Sequence, residues 1–171
     1  MSSHDTVDSA LAILLDKQEI HEVIMRYCRG IDRCDEELLR SVYHSNAWDD
    51  HGQFKGKASD FIPHCMKALR EDFLATMHAI CNELVEVDGD RAHSESYFVA
   101  YHRIMKDGVE HELVLGGRYV DRFERRQGVW KIAHRVVAYE WDRIEPAGSR
   151  FWVPNPFVIG KRSRDDVAYL R

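Results

Sequence analysis

Apolar residues recur every third and fourth position from Leu11 to Tyr27, through Leu14, Leu15, Ile20, Val23 and Ile24. That spacing predicts one amphipathic helix over residues 9–29, with Asp8 or Ser9 as its cap and Gly30 placed to end it. A short second helix is expected from Asp35 to Val42, with Leu38, Leu39 and Val42 inward. Asn46–Phe54 reads as a short strand or hairpin arm closed by Lys55-Gly56-Lys57. Ser59 is placed to cap a third helix running to about Arg70, with Phe61, Ile62, Met66 and Leu69 inward.

After residue 76 the period changes from helical to alternating. Met77–Val87, Arg91–Met105, Glu110–Arg125 and Val129–Arg143 read as four strands, separated by the turn signals Asp88-Gly89-Asp90, Lys106-Asp107-Gly108 and Arg126-Gln127-Gly128. Turns this short make consecutive strands antiparallel neighbours. Helices first and a meander afterwards predict an α+β domain in which a curved sheet wraps the helices. The whole chain, 1–171, is expected to be one domain, with a core over about 10–143 and an irregular extension over 144–171 that carries Pro146, Pro154 and Pro156.

Strand parity carries the first functional hint. Ala92, Ser94, Ser96, Phe98, Ala100, His102 and Ile104 share one face of their strand, and most of them are small. Such a face leaves volume above it, as a binding cavity requires. In the last strand Arg135, Val137, Tyr139 and Trp141 share one face and Trp130, Ile132 and Val136 the other. Leu113, Leu115, Gly117 and Tyr119 form one face of the strand between them.

Composition narrows the classes. The chain is 44% hydrophobic and 31% charged, ordinary for a soluble globular protein. Its 24 basic and 29 acidic side chains are mixed and leave a net charge of −5, which argues against nucleic acid as a partner. No apolar run approaches the ~20 residues of a membrane helix, and the first residues lack a secretory pattern, so a cytoplasmic protein is expected. Four cysteines, Cys28, Cys34, Cys65 and Cys81, form no CxxC pair; free thiols in a reducing compartment are the economical reading, with Cys28 and Cys81 in apolar surroundings. Ten histidines invite a metal reading, but no HExxH or facial-triad spacing occurs, and neither metal nor cofactor is expected.

The candidate chemistry centres on His78, in the otherwise apolar run Ala75-Thr76-Met77-His78-Ala79-Ile80-Cys81, and on Asp32 after the first helix. Imidazole titrates near pH ~6.5 and accepts a proton at neutral pH; a carboxylate beside it fixes its tautomer and stabilises its charged form. Arg135, between apolar neighbours, needs a partner if it points inward. The buried hydroxyl of Tyr27 needs one too. A satisfied core histidine and a turn-capping aspartate are the plainer alternative for His78 and Asp32.

The chain resembles the SnoaL-like branch of the nuclear transport factor 2-like (NTF2-like) superfamily, the group holding scytalone dehydratase, hexachlorocyclohexane dehydrochlorinase, bile acid 7α-dehydratase and ketosteroid isomerase. The resemblance covers about residues 10–143. It is carried by Arg26-Tyr27-Cys28-Arg29-Gly30-Ile31-Asp32-Arg33-Cys34-Asp35, by Ala47-Trp48-Asp49-Asp50-His51-Gly52-Gln53-Phe54-Lys55-Gly56 and by Thr76-Met77-His78. Gly117-Arg118-Tyr119-Val120-Asp121-Arg122-Phe123-Glu124-Arg125-Arg126 and Gly128-Val129-Trp130-Lys131-Ile132-Ala133-His134-Arg135 continue it. It implies a cone-shaped barrel around an apolar pocket, a homodimer or homotrimer, and a cofactor-free lyase or isomerase. The family's Asp-His pair falls on Asp32 and His78, its helix-end tyrosine on Tyr27 and its last-strand arginine on Arg135. Where bile acid dehydratase has a further aspartate this chain has Ala100, with His102 one inward step along as the substitute.

These readings make Asp32, His78, Tyr27, Arg135 and His102 the expected catalytic set. Trp48, Phe98, Ala100, Tyr119, Tyr139 and Trp141 are the expected substrate-binding set. The expected activity is elimination of water from a small hydrophobic cyclic or aromatic alcohol, or C–C cleavage with the same groups. The alternatives are a double-bond isomerase, a ligand carrier, or the small subunit of a ring-hydroxylating dioxygenase.

Overall fold

A computed structural model describes residues 3–148 and 156–170, with the backbone alone for residues 3–6 and 8. Helix α1 runs over Ser3–Asp32, α2 over Glu36–Ser41 and α3 over Ala58–Glu71. The strands are β1 Tyr43–Asp50, β2 Lys55–Lys57, β3 Phe73–Asp88, β4 Arg91–Lys106, β5 Val109–Arg126 and β6 Val129–Pro146. They form one curved, unclosed sheet in the order β2-β1-β6-β5-β4-β3. All neighbours are antiparallel except β1 and β6, which are parallel, so the sheet is mixed.

The helices lie in the hollow of this sheet because each brings an apolar stripe to it. Ile20, Val23, Ile24, Tyr27 and Ile31 of α1, and Phe61, Ile62, Met66 and Leu69 of α3, are buried against Phe98, Tyr119, Phe123, Trp130 and Ile132 from the strands. The predicted stripe of α1 is only half used: Leu11, Leu14 and Leu15 stay more than half exposed.

Gly30 does not end α1. A Cβ at Gly30 would lie 3.1 Å from Leu39 Cβ and its backbone, so glycine here lets α1 and α2 approach closely. The helix continues to Asp32, and the chain then turns through Cys34 at φ +49°. Asp35 caps α2, accepting a hydrogen bond from Leu38 N at 3.1 Å. Ser59 is not the cap of α3; the helix starts at Ala58 after Lys57, which makes no side-chain capping bond.

Irregularities in β6 overturn part of the predicted parity. Ile132 opposes Phe123 and His134 opposes Arg122, so Ala133 is an extra residue. The bulge puts Trp130 and Ile132 inward together with Arg135 and Val137, instead of on the opposite face. A second extra residue, Glu140, lies between Tyr139 opposite Gly117 and Trp141 opposite Gly116. It turns the Trp141 indole onto Gly116, where a Cβ would come within 2.3–2.6 Å of the ring.

Past β6, the described part of the C-terminal extension returns to the α1–α2 corner. Arg33 Nη1 meets Asp166 Oδ2 at 3.3 Å, Tyr169 Oη donates to Asp35 Oδ2 at 2.9 Å, and Arg29 Nη2 donates to the Ala168 carbonyl at 2.8 Å. Arg162 donates to the carbonyls of Phe73 and Leu69. The expectation for Phe151-Trp152-Val153-Pro154 falls outside the described residues.

Candidate active site

The last residue of α1 and the sixth residue of β3 meet because α1 packs its C-terminal end against that strand. Asp32 Oδ1 lies 2.7 Å from His78 Nδ1, and Asp32 Oδ2 accepts the His78 backbone N–H at 2.9 Å. One carboxylate therefore fixes both the ring and the strand that carries it. Both residues are close to fully buried. With Nδ1 held as the donor to Asp32, Nε2 is the nitrogen with a free lone pair.

His78 lines a cavity of about 460 Å³ together with His51, Phe54, Phe61, His102 and Tyr119, among others. That volume suits a ring-sized ligand. Phe98, Ala100 and Leu115 line it from β4 and β5, and Tyr139, 63% exposed, stands at its mouth. Ala100 faces His78 directly across the β3–β4 ladder, so a larger residue there would take space from the ligand beside the imidazole. Phe98 stacks on Tyr119 with centroids 4.3 Å apart and makes a flat aromatic wall. Among the described lining residues, none is Asp, Glu, Lys or Arg.

His102 also lines the cavity, its ring 5.5 Å from that of His78. Burial, and then the neighbouring His78, push its pKa down to about 4. It is thus neutral at pH 7, able to donate one hydrogen bond and accept another but not to act as an imidazolium acid. Its Nδ1 has no hydrogen-bond partner among the described residues. Cys65 lies on the same wall, and burial raises its thiol to about 12, which keeps it protonated and a poor nucleophile.

The remaining expected residues stand elsewhere. Trp48 alternates outward on β1 and is 45% exposed, because its neighbours Ala47 and Asp49 take the inward positions. Trp141 is 48% exposed on the outer face, turned there by the bulge at Glu140. Neither lines the cavity. Arg135 is fully buried behind the lining, paired through two hydrogen bonds of 2.7 and 2.6 Å with Asp121. Its guanidinium is sandwiched between the rings of Tyr27 and Tyr119, 4.0 and 4.1 Å from their centroids. Burial opposes its charge, but Asp121 outweighs that and holds the arginine above its ordinary pKa. Tyr27 is likewise behind the lining, and its hydroxyl lies 3.1 Å from His51 Nε2. Burial raises the phenol well above its usual range. Cys81 is exposed, against expectation, while Cys28 is buried; all four cysteines are free.

The residue that sequence reasoning passed over is His51. Its Nδ1 pairs with the buried Asp49, whose other oxygen accepts the Tyr43 hydroxyl at 2.6 Å. Its ring stacks on Phe61, 4.3 Å away, and it lines the cavity. An acid and an imidazole two positions apart, Asp49 and His51, is the pattern that could have flagged it, since i and i+2 share one side of an extended chain.

A mixed curved sheet wrapped around three helices is the NTF2-like fold, and here it carries a buried Asp–His pair that opens onto an aromatic cavity. The SnoaL-like domain family matches residues 12–136, and the chain belongs to that family. No curated protein sequence matches it significantly. Among solved structures, it is similar to a hexachlorocyclohexane dehydrochlorinase, LinA type 2, with TM-score 0.71 and 19% identity over 87% of this chain and 99% of that one. A putative scytalone dehydratase from Novosphingobium aromaticivorans gives TM-score 0.67 and 20% identity over 80% and 91%. A protein from Kribbella flavida, Kfla4162, gives 0.69 and 22% over 77% and 95%. At 19–22% identity these likenesses show that the fold is shared.

Proposed function

We propose that the protein is a lyase that eliminates water from a small, uncharged, hydrophobic cyclic or aromatic alcohol. The observation that carries this reading is the Asp32 carboxylate bonded to both Nδ1 and the backbone N–H of His78, with the ring opening onto an aromatic cavity. His78 Nε2 takes a proton from the carbon next to the one bearing oxygen, and Asp32 stabilises the imidazolium that forms. The C–H electrons become the new double bond, the C–O bond breaks, and the departing oxygen needs a proton. Phe98 and Tyr119 hold the ring flat, so that this loss occurs from one defined face. An apolar wall without charged side chains among its described members favours a neutral substrate, because an ion would lose its hydration without a partner.

The test is incubation of the purified protein, without added cofactor, with a panel of hydroxylated aromatic and alicyclic compounds, followed by mass spectrometry. Loss of 18 mass units, roughly one water, is expected for at least one compound. Products of unchanged mass would identify an isomerase instead, and carbon fragments a C–C lyase. Turnover should fall at least ~100-fold in His78→Ala and in Asp32→Asn, with both variants retaining the fold by circular dichroism. Full turnover in either variant would remove the dyad from the mechanism.

A further inference from the structure

Imidazole is a weak base, and hydrogen on an ordinary saturated carbon is too weakly acidic for it unless the charge left behind can move onto an oxygen. The reaction at His78 thus calls for a hydrogen-bond donor at a second oxygen of the substrate. Several polar groups at the cavity are already engaged. His51 gives one ring nitrogen to Asp49 and the other to Tyr27, Tyr139 at the mouth bonds Asp142, and His102 Nδ1 is sealed inside the protein. The Tyr119 hydroxyl differs from all of these. It makes no hydrogen bond among the described residues, yet it is not one of their sealed, unpartnered atoms, which include the Oγ of Ser94 and Ser96 on the neighbouring strand. Tyr119 is only 2% exposed and lines the cavity, so the open side of its oxygen is the cavity side. A buried phenol ordinarily has a partner, and here the ligand is left to supply it.

Building on the lyase reading, we propose that the Tyr119 hydroxyl binds the carbonyl oxygen of a ring ketone, and that the substrate is a β-hydroxyketone. The ring of Tyr119 is held still for this. It sits in mid-sheet, opposite Ser96 of β4 and Val137 of β6. Phe98 stacks on it at 4.3 Å, the Arg135 guanidinium lies 4.1 Å from its centroid, and Tyr27 meets it edge-on at 5.4 Å. Burial, and then the nearby Cys28 thiol, keep the phenol well above its ordinary pKa, with Arg135 opposing and Asp32 adding to the rise. The proton stays on Tyr119 at neutral pH, and the influence of Asp32 puts this hydroxyl at the dyad end of the cavity. His78 Nε2 takes the proton from the carbon between the carbonyl and the carbinol. That C–H pair becomes the C=C bond of an enolate and the carbonyl π pair moves onto oxygen, where Tyr119 donates a hydrogen bond and keeps its own proton. The oxygen pair then re-forms C=O, the C=C pair shifts to the carbinol carbon, and the C–O pair leaves on oxygen. That oxygen takes the proton of the His78 imidazolium, so water departs and the base is restored. The net change is β-hydroxyketone to conjugated enone plus water.

Two measurements test this, and the first does not depend on turnover. Acetophenone and ethylbenzene, alike in shape but not in their acceptor oxygen, serve as probes in calorimetry, and the carbonyl stretch of bound acetophenone is read by infrared difference spectroscopy. The wild-type protein is expected to prefer the ketone about tenfold, one hydrogen bond's worth. In Tyr119→Phe, which keeps the ring and its stacking, the preference should collapse toward unity and the carbonyl stretch should move to higher frequency. Both signals should persist in His78→Ala. No ketone binding or no preference in the wild type, or a preference and frequency unchanged in Tyr119→Phe, would overturn the proposal. Loss of both signals in His102→Leu but not in Tyr119→Phe would hand the oxygen to His102 and overturn it equally. The second measurement uses the substrate found by the panel. Tyr119→Phe should lower its turnover at least ~100-fold, the cost of one oxyanion donor; undiminished turnover, or a substrate with no carbonyl beside the acidic carbon, would overturn the catalytic role while leaving the His78 base intact. A panel without any water loss would instead sink the lyase reading, and the binding and infrared results would still decide whether Tyr119 holds a ketone.

Discussion

At the scale of single residues, the arrangement turns on where charge is allowed. Asp32 spends both carboxylate oxygens on His78, whereas His102 Nδ1 has no partner among the described residues and the ring stays neutral. Its lowered pKa has a consequence for stability. Between about pH 4 and the ordinary 6.5 the unfolded chain binds a proton at His102 that the folded protein refuses. This contribution is fully present above pH ~6.5 and is lost as the pH falls toward ~4, amounting to about 3 kcal/mol at its limit. The pH dependence of stability, measured by urea denaturation at pH 4.5 and 7.5, should therefore be shallower in His102→Gln than in the wild type.

Arg135 and Asp121 make the opposite case, an ion pair with no exposure at all. Removing one partner strands the other in the interior, so Arg135→Met should cost about 3–5 kcal/mol in thermal denaturation. Arg135→Met combined with Asp121→Leu should cost less than that single change, because no buried charge is left over. Asp32 and His78 were legible from their motifs. Arg135 was legible as an inward arginine, but its bonding to Asp121 was not, since the two meet across adjacent strands from positions fourteen residues apart. His51 was missed because its side chain sits just past a strand end, where neither helical nor alternating periodicity marks it.

Elements were read well where their own residues decide them. The three strand turns fall at Gly89, at Asp107-Gly108 and at Gln127-Gly128, all with positive φ, as the turn residues indicated. What pattern counting could not see were the extra residues Ala133 and Glu140, because a bulge leaves the composition of a strand unchanged while reversing the faces beyond it. Trp141 left the expected binding set for that reason. The adjoining glycines differ in what they protect. A Cβ at Gly117 would meet the Ala138 carbonyl at 2.6 Å and the Phe98 ring at 2.9 Å, whereas the nearest atoms to one at Gly116 all belong to the Trp141 indole. Gly117→Ala should therefore cost about 1–3 kcal/mol, and Gly116→Ala less, with a shift in tryptophan fluorescence as the indole is displaced. Thermal melts of the two variants, recorded together, check the order.

For the molecule as a whole, helices followed by a meander were enough to anticipate a curved sheet around a helical layer. The parallel pairing of β1 with β6 was not legible, because it joins segments far apart in sequence and depends on how the sheet curls. The same long range applies to the C-terminal extension, which returns to grip Arg33, the neighbour of Asp32. Deleting residues 149–171 should leave the sheet folded but loosen this corner. The expected outcome is a several-fold lower kcat with little change in KM, and faster amide exchange at residues 29–35, read by hydrogen exchange.

That grip also imposes an order of assembly. Asp32 is made before His78, and Asp166 and Tyr169 are made after both. A nascent chain can therefore bury its core before the brace beside the base has been made. A chain cut off after residue 148 would look folded and work slowly.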